Sequence, residues 1–206
     1  MTDLQTHWSQ VYTRKAPGDV SWYQPRPETS LNLIQQTSLP ASSPFIDVGA
    51  GASTLVDHLI AAGYTDLTLL DIAAESLAVS RQRLGAAGAG LTWLVGDVTT
   101  VTLPTAHYQL WHDRAVFHFL TEPAQQQRYV QQMRQALAPG AHLIIATFAI
   151  NGPQQCSGLD VMRYDVPSLM AVLGASFQLI ASQPETHTTP WGSQQQFIYL
   201  HCRYLG

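Results

Sequence analysis

The stretch from Phe45 to Thr54, followed by Asp71, constrains the fold of this chain more than any other part of the sequence. It begins with a short apolar run that is typical of a buried strand, and Gly49 and Gly51 then allow the backbone to turn sharply. Apolar residues at helical spacing follow, and Asp71 ends the next apolar run. This layout predicts the first strand–helix–strand unit of a nucleotide-binding sheet, with a carboxylate for ribose hydroxyls at the end of the second strand.

The residues around the glycines favour one class of cofactor. A dinucleotide fingerprint has a third glycine three residues after the second, where this chain has Thr54. Asp47 lies inside the first strand, and its charge would repel a pyrophosphate but attract a positively charged amino acid group. S-adenosylmethionine (SAM) carries such a group, a ribose and no phosphate. The alternative is a structural glycine turn in another α/β protein. We expect SAM to be bound by Asp47, Gly49, Ala50, Gly51, Asp71 and Ile72.

Length and composition limit the remaining classes of protein. The 206 residues suffice for one ordinary domain, residues 1–206. Charged residues make up 12% of the chain, and a formal charge of −4 without a cluster of Lys and Arg argues against a nucleic-acid partner. Two cysteines without metal-ligand spacing predict neither a disulfide framework nor a metal site. With no secretory signal and no long apolar run visible, we expect a cytoplasmic protein with no membrane partner, as a monomer or weak dimer.

Aromatic residues are dense before the predicted sheet, at Trp8, Tyr12, Trp22 and Tyr23. Trp8 and Tyr12 are four residues apart and would share one face of a helix, whereas the prolines between residues 15 and 27 indicate an irregular segment. In one interpretation residues 1–40 form a cap or lid, with Trp22 at the cofactor and Tyr23 at the methyl acceptor. In the other, these aromatic residues pack a helix and a loop onto the sheet. Both interpretations stay open.

Apolar runs that alternate with helical patterns predict a doubly wound, Rossmann-like α/β core over residues 44–206, with helices on both faces. The sheet is expected to have seven strands, mostly parallel, with an antiparallel last strand. Predicted strands cover residues 45–49, 65–70, 91–95, 108–111 and 141–148, and a closing antiparallel pair covers residues 176–183 and 196–203. Predicted helices cover residues 53–62, 74–84, 122–137 and 167–173, and another begins near Pro27.

These patterns resemble the class I SAM-dependent methyltransferases, whose first motif has an acid two residues before a Gly-x-Gly, as in Asp47 to Gly51. Within that class the chain resembles the thiopurine S-methyltransferase group in Trp8 with Tyr12, in residues 111–115, and in residues 187–192. The resemblance implies transfer of a methyl group to a small molecule, and it implies that Asp97 and Val98 hold the adenine. For Asp97 the alternative is a turn or a helix N-cap.

Two features limit the resemblance to the thiopurine group. The first motif is degenerate in that group but ordinary here, and residues 20–24 and the loop around Cys156 have no counterpart that we can identify. Small seven-strand lysine methyltransferases also have an aromatic segment before the first motif. Those carry a Lys-Gly-Thr-like run after the fourth strand, where this chain has His112 to Ala115. That difference favours a small-molecule acceptor.

Methyl transfer from a sulfonium is an in-line displacement, so the protein mainly aligns the reactants and shields them from water. A thiol or selenol attacks as its anion, which a base or a cation helps to form. We expect Asp113 and His112 to be catalytic, with His112 also near the methionine end of SAM. The expected acceptor-binding residues are Tyr23, Phe117, His118, Arg163 and Trp191. The alternative for His118 is a core position, and the alternative for Arg114 is a salt bridge to Asp113 or to an acid at a helix start. The alternative for the whole chain is a non-catalytic module that binds SAM or a nucleotide.

Overall fold

The computed structural model describes residues 3–206, so Met1 and Thr2 of the predicted cap segment lie outside the described residues. The α-helices are α1 (Asp3–Arg14), α2 (Glu28–Gln36), α3 (Leu55–Ala61), α4 (Ala74–Leu84), α5 (Pro123–Ala136) and α6 (Val166–Leu173). The strands are β1 (Phe45–Val48), β2 (Leu67–Asp71), β3 (Thr92–Val95), β4 (Tyr108–Arg114), β5 (Leu137–Phe148), β6 (Gln155–Cys156), β7 (Leu159–Asp160), β8 (Phe177–Thr188) and β9 (Gln194–Tyr204). None of the described helices has the length and apolar character needed to cross a bilayer.

Seven of the strands form one sheet in the order β3-β2-β1-β4-β5-β9-β8. Strands β1 to β5 pair in parallel, whereas β9 pairs antiparallel to both β5 and β8. The predicted sheet, with its closing antiparallel pair, is therefore confirmed. The chain reverses its direction of winding between β1 and β4, and the carboxyl ends of strands at such a switch point are where ligands bind in open α/β sheets.

The sheet is covered on both faces, which explains why all four residues of β1 are buried. Ile46 and Val48 point into a hydrophobic cluster that includes Tyr129 of α5 and Leu169 of α6. Phe45 points into a second cluster with residues of α2, α3 and α4. This alternation follows from the two-residue repeat of a strand, and it confirms helices on both faces.

Three strands, β4, β5 and β8, differ from a predicted bound by three residues or more, and β8 continues to Thr188 instead of ending at Gln183. β4 continues to Arg114, three residues past its predicted end, because His112 and Asp113 find hydrogen-bond partners within the protein despite their polarity. β5 begins at Leu137 instead of Ala141, so Pro139 lies within the strand. A register shift against β4, between Tyr108 and Leu110, accompanies this early start. The predicted loop after β5 contains the short β6–β7 hairpin.

Candidate cofactor and acceptor site

A glycine corner follows β1 at the switch point of the sheet. Gly49 and Gly51 have φ of +69° and +50°, in the left-handed region that favours glycine. A β-carbon on Gly49 would overlap Cγ2 of Val116, and one on Gly51 would lie 2.7 Å from the hydroxyl of Tyr12. Ser80 Oγ of α4 donates a hydrogen bond to the carbonyl of Gly51 at 2.8 Å and so fixes the corner to that helix. A side chain at Gly49 would therefore clash with Val116, and one at Gly51 would displace Tyr12.

A first cavity crosses the carboxyl ends of β1, β2, β3 and β4 and encloses about 1000 Å³ of empty space, part of it open to solvent. Pockets that hold small-molecule ligands reach this size. Six residues predicted from the sequence to bind the cofactor line it: Trp22, Gly49, Asp71, Ile72, Asp97 and Val98. The structure thus brings together the ends of three neighbouring strands that sequence reasoning assigned to one nucleoside.

The two acids of this cavity are tied to the backbone. Asp71 Oδ1 accepts from the amide of Ala73 at 2.8 Å. Burial raises the pKa of Asp71 to about 6, against the opposing effect of hydrogen bonds from Ala73, Ser76 and Gly51. Asp97 Oδ1 accepts from the amide and the hydroxyl of Thr99, at 2.8 and 2.7 Å. Asp97 therefore has the turn role that was its alternative, while it also lines the cavity.

A second, smaller cavity lies behind the glycine corner, under the segment that joins α1 to α2. Asp47, Ala50, Ser53, Tyr23 and His112 are among the residues that line it. The two cavities meet, because four residues line both: Tyr12, Trp22, Gly49 and Arg114. The site therefore has a nucleoside-sized part and a polar part that join at the ends of β1 and β4.

Asp47 is held by a buried chain of polar side chains. His112 Nδ1 donates to Asp47 Oδ1 at 2.7 Å, and His112 Nε2 lies 2.9 Å from the hydroxyl of Ser30 in α2. All three side chains are buried. Both ring nitrogens of His112 are thus engaged within the protein. His112 lines the second cavity but presents no free base to the first.

Three predicted site residues at the end of β4 point away from both cavities. Asp113 is fully buried, and its carboxylate accepts from the amides of Val116 and Phe117. Phe117 packs its ring against Tyr129 of α5. His118 accepts from the amide of Phe148, and burial lowers its pKa to about 3. The predicted ligand contacts of Asp113, Phe117 and His118 are therefore corrected: the 3-10 turn 117–119 directs its first two side chains into the core, and His118 is a core histidine.

Two predicted acceptor residues also lie outside both cavities. Trp191 is 59% exposed in the turn between β8 and β9. The hairpin extends beyond the pairing of Phe148 with Phe197, so this turn lies past the end of β5. Arg163 donates to the carbonyl of Gly152 at 3.2 Å and is engaged there. The predictions for Trp191 and Arg163 are corrected on this geometry.

Aromatic side chains and Arg114 also line the first cavity and are called the aromatic wall below. The aromatic residues are Trp8, Trp22, Phe119, Phe148 and Phe197, and Cys156 lies with them. The aromatic density before the sheet was the signal for Trp8 and Trp22. Phe148 and Phe197 were missed, since only the pairing of β5 with β9 brings them together.

Arg114 joins the wall to the last two strands. Its guanidinium donates to the hydroxyl of Tyr199 at 2.9 Å and to the carbonyl of Trp22 at 3.1 Å. It lies 3.5 Å from a carboxylate oxygen of Glu185 in β8 and 4.6 Å above the ring of Phe197. The ion pair expected for Arg114 is thus made with Glu185, not with Asp113 or an acid at a helix start.

The residues present fit the cofactor predicted from the sequence. Asp71 and Asp97 offer acceptors for the hydroxyl and amino groups of a nucleoside, and the glycine corner leaves room that a β-carbon would fill. Asp47 lines the polar cavity, where an ammonium group would complement its charge. Among the described residues that line the first cavity, Arg114 is the one Lys or Arg, and it lies on the aromatic wall. This set suits SAM better than a pyrophosphate.

Comparison with known proteins agrees with this geometry. Residues 45–140 match the family model described as a methyltransferase domain. No curated protein sequence matches the chain significantly. Many solved structures do match, and the chain aligns with each of the three described next over nearly its whole length.

One similar structure concerns the conversion of a disulfide bond into a thioacetal group during echinomycin biosynthesis (16% identity, 98% of this chain and 91% of that chain, TM-score 0.77). Another is the N-methyltransferase NodS from Bradyrhizobium japonicum WM9 with S-adenosyl-L-homocysteine (16% identity, 96% and 98%, TM-score 0.74). A third is the Burkholderia thailandensis 1,6-didemethyltoxoflavin-N1-methyltransferase (18% identity, 98% and 88%, TM-score 0.72). Residues 45–140 are therefore similar to a methyltransferase domain, within a chain that has the Rossmann-like fold of the SAM-dependent methyltransferases.

Proposed function

We propose that the protein transfers the methyl group of SAM to a small-molecule acceptor, with a thiol, selenol or similar soft nucleophile as the attacking atom. The observation that carries this proposal is the meeting of the two cavities at Gly49 and Arg114. One cavity offers carboxylates for a nucleoside, the other is polar and lined by Asp47, and the aromatic wall begins where they join.

The cofactor would span both cavities. Its adenosine would lie in the first, with Asp71 at the ribose and Asp97 and Val98 at the adenine, and its methionine end would lie in the second beside Asp47. Bound SAM supplies a methyl group on a positively charged sulfur. The protein aligns the acceptor with that methyl group and excludes water, which the buried aromatic wall favours.

The charge of the aromatic wall supports a nucleophile that reacts as an anion. Burial raises the pKa of the Cys156 thiol to about 11, and burial together with the nearby Asp71 raises the pKa of Tyr12, so both groups stay protonated near neutral pH. Asp71 and Asp97 are assigned to the cofactor. Arg114 then provides a cation beside the acceptor instead of a base. A thiol, with an ordinary pKa of about 8.5, reaches its anionic form under such conditions more readily than an alcohol.

The test uses three acceptors of one shape, thiophenol, phenol and aniline, with the purified protein and isotopically labelled SAM. We expect label in the methyl thioether of thiophenol, detected by mass spectrometry, and little in the other two products. Arg114→Met should lower kcat/KM for thiophenol at least tenfold, and Arg114→Lys should lower it less because the charge is retained. Arg163→Met is the matched control, since Arg163 lies outside both cavities, and it should leave kcat/KM unchanged.

The same assay separates the alternatives that the sequence left open. Transfer to aniline without transfer to thiophenol would contradict the soft-nucleophile proposal. Label in lysine residues of a protein extract, with none in small molecules, would favour a lysine methyltransferase. Binding of SAM in a calorimeter without transfer to any acceptor would favour a non-catalytic module.

A further inference from the structure

Asp113 is fully buried at the end of β4 and is surrounded by hydrogen-bond donors. Its Oδ1 accepts from the amide of Val116 at 2.8 Å. Its Oδ2 accepts from the amide of Phe117 at 3.1 Å and from the hydroxyl of Tyr129 at 2.5 Å. The hydroxyl of Tyr129 accepts in turn from the indole N–H of Trp111 at 2.9 Å. Because every one of these partners of Asp113 donates, the ionised carboxylate is the form that satisfies them.

The backbone that this carboxylate holds is a strained turn beside the glycine corner. Ala115 has φ of +74°, in the left-handed region that residues with a β-carbon avoid. The next residue, Val116, places Cγ2 in the space that a β-carbon on Gly49 would need. The preceding residue, Arg114, lines both cavities. Strained backbone of this kind persists where surrounding contacts over-determine it, and it concentrates at functional sites.

We propose that Asp113 is a positioning residue, whose buried carboxylate holds residues 114–117 in the left-handed bend that sets Arg114 at the acceptor and seats Val116 on Gly49. Its action on catalysis rests on the proposed methyltransferase function. The bend itself does not depend on that function. Asp113 contacts neither cavity, so it acts only through the turn.

The surroundings of Asp113 predict that its positioning role depends on pH. Burial raises the pKa of Asp113 to about 6, while hydrogen bonds from Tyr129, Val116 and Phe117 and the nearby His112 oppose that rise. The titratable or charged groups closest to it are Tyr129 on α5 and its strand neighbours His112 and Arg114. The paired positions on β1 and β5 are the apolar Val48 and Ile145.

Protonation places a donor on Asp113 among groups that already donate to it. At least one of the amides of Val116 and Phe117 then loses its bond, and the turn should loosen as the pH falls below about 6. This effect belongs to the chain itself and does not require bound cofactor.

The first experiment therefore does not depend on activity. Amide hydrogen exchange, followed by NMR on the full chain at pH 7, should be at least tenfold faster at one or both of Val116 and Phe117 in Asp113→Asn than in the wild type, because the amide side chain keeps only one acceptor oxygen. Asp165→Asn is the matched control. Asp165 also accepts from a backbone amide, that of Ser168 at the start of α6, and its loss should leave the 116–117 amides protected. Protection of those two amides in Asp113→Asn equal to that in the wild type would overturn the proposal.

The second experiment measures kcat/KM for the acceptor against pH, at saturating SAM so that cofactor binding does not enter. The wild type should lose activity below about pH 6. Tyr129→Phe removes a bond to the ionised carboxylate, so it should move this acid limb to higher pH. Asp113→Asn should lower the plateau at least tenfold and leave only the acid limb set by ionisation of the acceptor itself, which all variants share.

A rescue variant distinguishes positioning from a general loss of stability. Glycine adopts the left-handed bend without cost, so Ala115→Gly in the Asp113→Asn background should restore at least threefold in kcat/KM. An unshifted acid limb in Tyr129→Phe together with no rescue by Ala115→Gly would show that Asp113 only stabilises the fold. If the wild type transfers no methyl group at all, the proposed function fails, and the exchange experiment still decides the role of Asp113.

Discussion

The hydroxyl of Tyr12 lies 2.7 Å from the place that a β-carbon on Gly51 would occupy, and Asp71 Oδ2 lies 3.4 Å from the same place. Tyr12 belongs to α1, so a helix that precedes the sheet reaches the glycine corner. A hydrogen bond of 2.7 Å from Ser9 to Glu75 ties α1 to α4 as well. The N-terminal helix therefore lies over the corner, and its position sets what that corner can accept.

Substitution of Gly51 tests this close approach. Gly51→Ala should weaken SAM binding at least tenfold, because the new β-carbon displaces Tyr12 and crowds Asp71. Gly63→Ala is the matched control, since Gly63 is also left-handed, at φ of +88°, but has open space around its β-position. Both variants should lose about 1 kcal/mol of stability from backbone strain. Calorimetric titration with SAM should find weak binding only in Gly51→Ala, and equal affinity in the two variants would contradict the proposed contact.

The raised pKa of Asp71 predicts that cofactor affinity depends on pH. The carboxylate accepts hydrogen bonds from ribose and the neutral acid does not accept as well, so affinity should be constant above pH 6 and fall below it. With a pKa of about 6, the dissociation constant should rise roughly tenfold by pH 5. Asp71→Asn should weaken binding by about 1–3 kcal/mol at pH 7.5 and remove this dependence. Calorimetric titrations with SAM at pH 5, 6 and 7.5 check this prediction. If the dissociation constant of Asp71→Asn depends on pH as strongly as that of the wild type, the titrating group lies elsewhere.

Two tryptophans predicted from the sequence to be functional should behave differently. Trp22 lines both cavities, so Trp22→Ala should raise the acceptor KM and the SAM dissociation constant, each by fivefold or more. Trp191 is 59% exposed outside both cavities, and Trp191→Ala should change neither constant beyond twofold. Steady-state kinetics with calorimetry checks both variants. A selective effect of Trp191→Ala on the acceptor KM would restore the assignment made from the sequence.

Because His118 is buried, we expect the free energy of unfolding to fall in mild acid, whatever the function of the protein. Burial lowers its pKa from the ordinary 6.5 to about 3, so the unfolded chain binds a proton that the folded chain refuses. Its contribution is complete above pH 6.5 and is lost as the pH falls toward 3. Between pH 7 and pH 5 the loss should be about 2 kcal/mol. His118→Gln keeps an acceptor for the amide of Phe148 without the titration, so urea unfolding should find it less sensitive to this change of pH by about that amount. Equal sensitivity in the two proteins would contradict a buried neutral His118.

The cofactor half of the site was predictable because its signals are local. Gly49, Gly51 and Asp71 lie at the ends of adjacent parallel strands, and a short apolar run followed by a turn residue marks each such end. The rule that ligands bind at the carboxyl ends of these strands then brings them together. The sheet order follows from the same alternation of strands and helices.

The aromatic wall and the end of β4 depend on geometry that no local pattern contains. The polar run His112–Asp113–Arg114 indicates the start of a loop when only the sequence is considered. Its place in a buried strand could not be predicted, because the partners of Asp113 come from Tyr129 and from the turn that follows β4. Phe117 and His118 turn inward because the 3-10 turn after β4 directs their side chains into the core. Phe197 reaches the wall only through the pairing of β9 with β5, more than 40 residues away along the chain.

The insertion of β9 between β5 and β8 has a consequence for how the protein is made. During translation β8 leaves the ribosome before β9, yet it has no strand to pair with until β9 arrives, and the edge of β5 stays open for the same interval. Phe197 also completes the aromatic wall. The nascent chain can therefore form its glycine corner early, but it gains its aromatic wall and closes this sheet only when β9 is released.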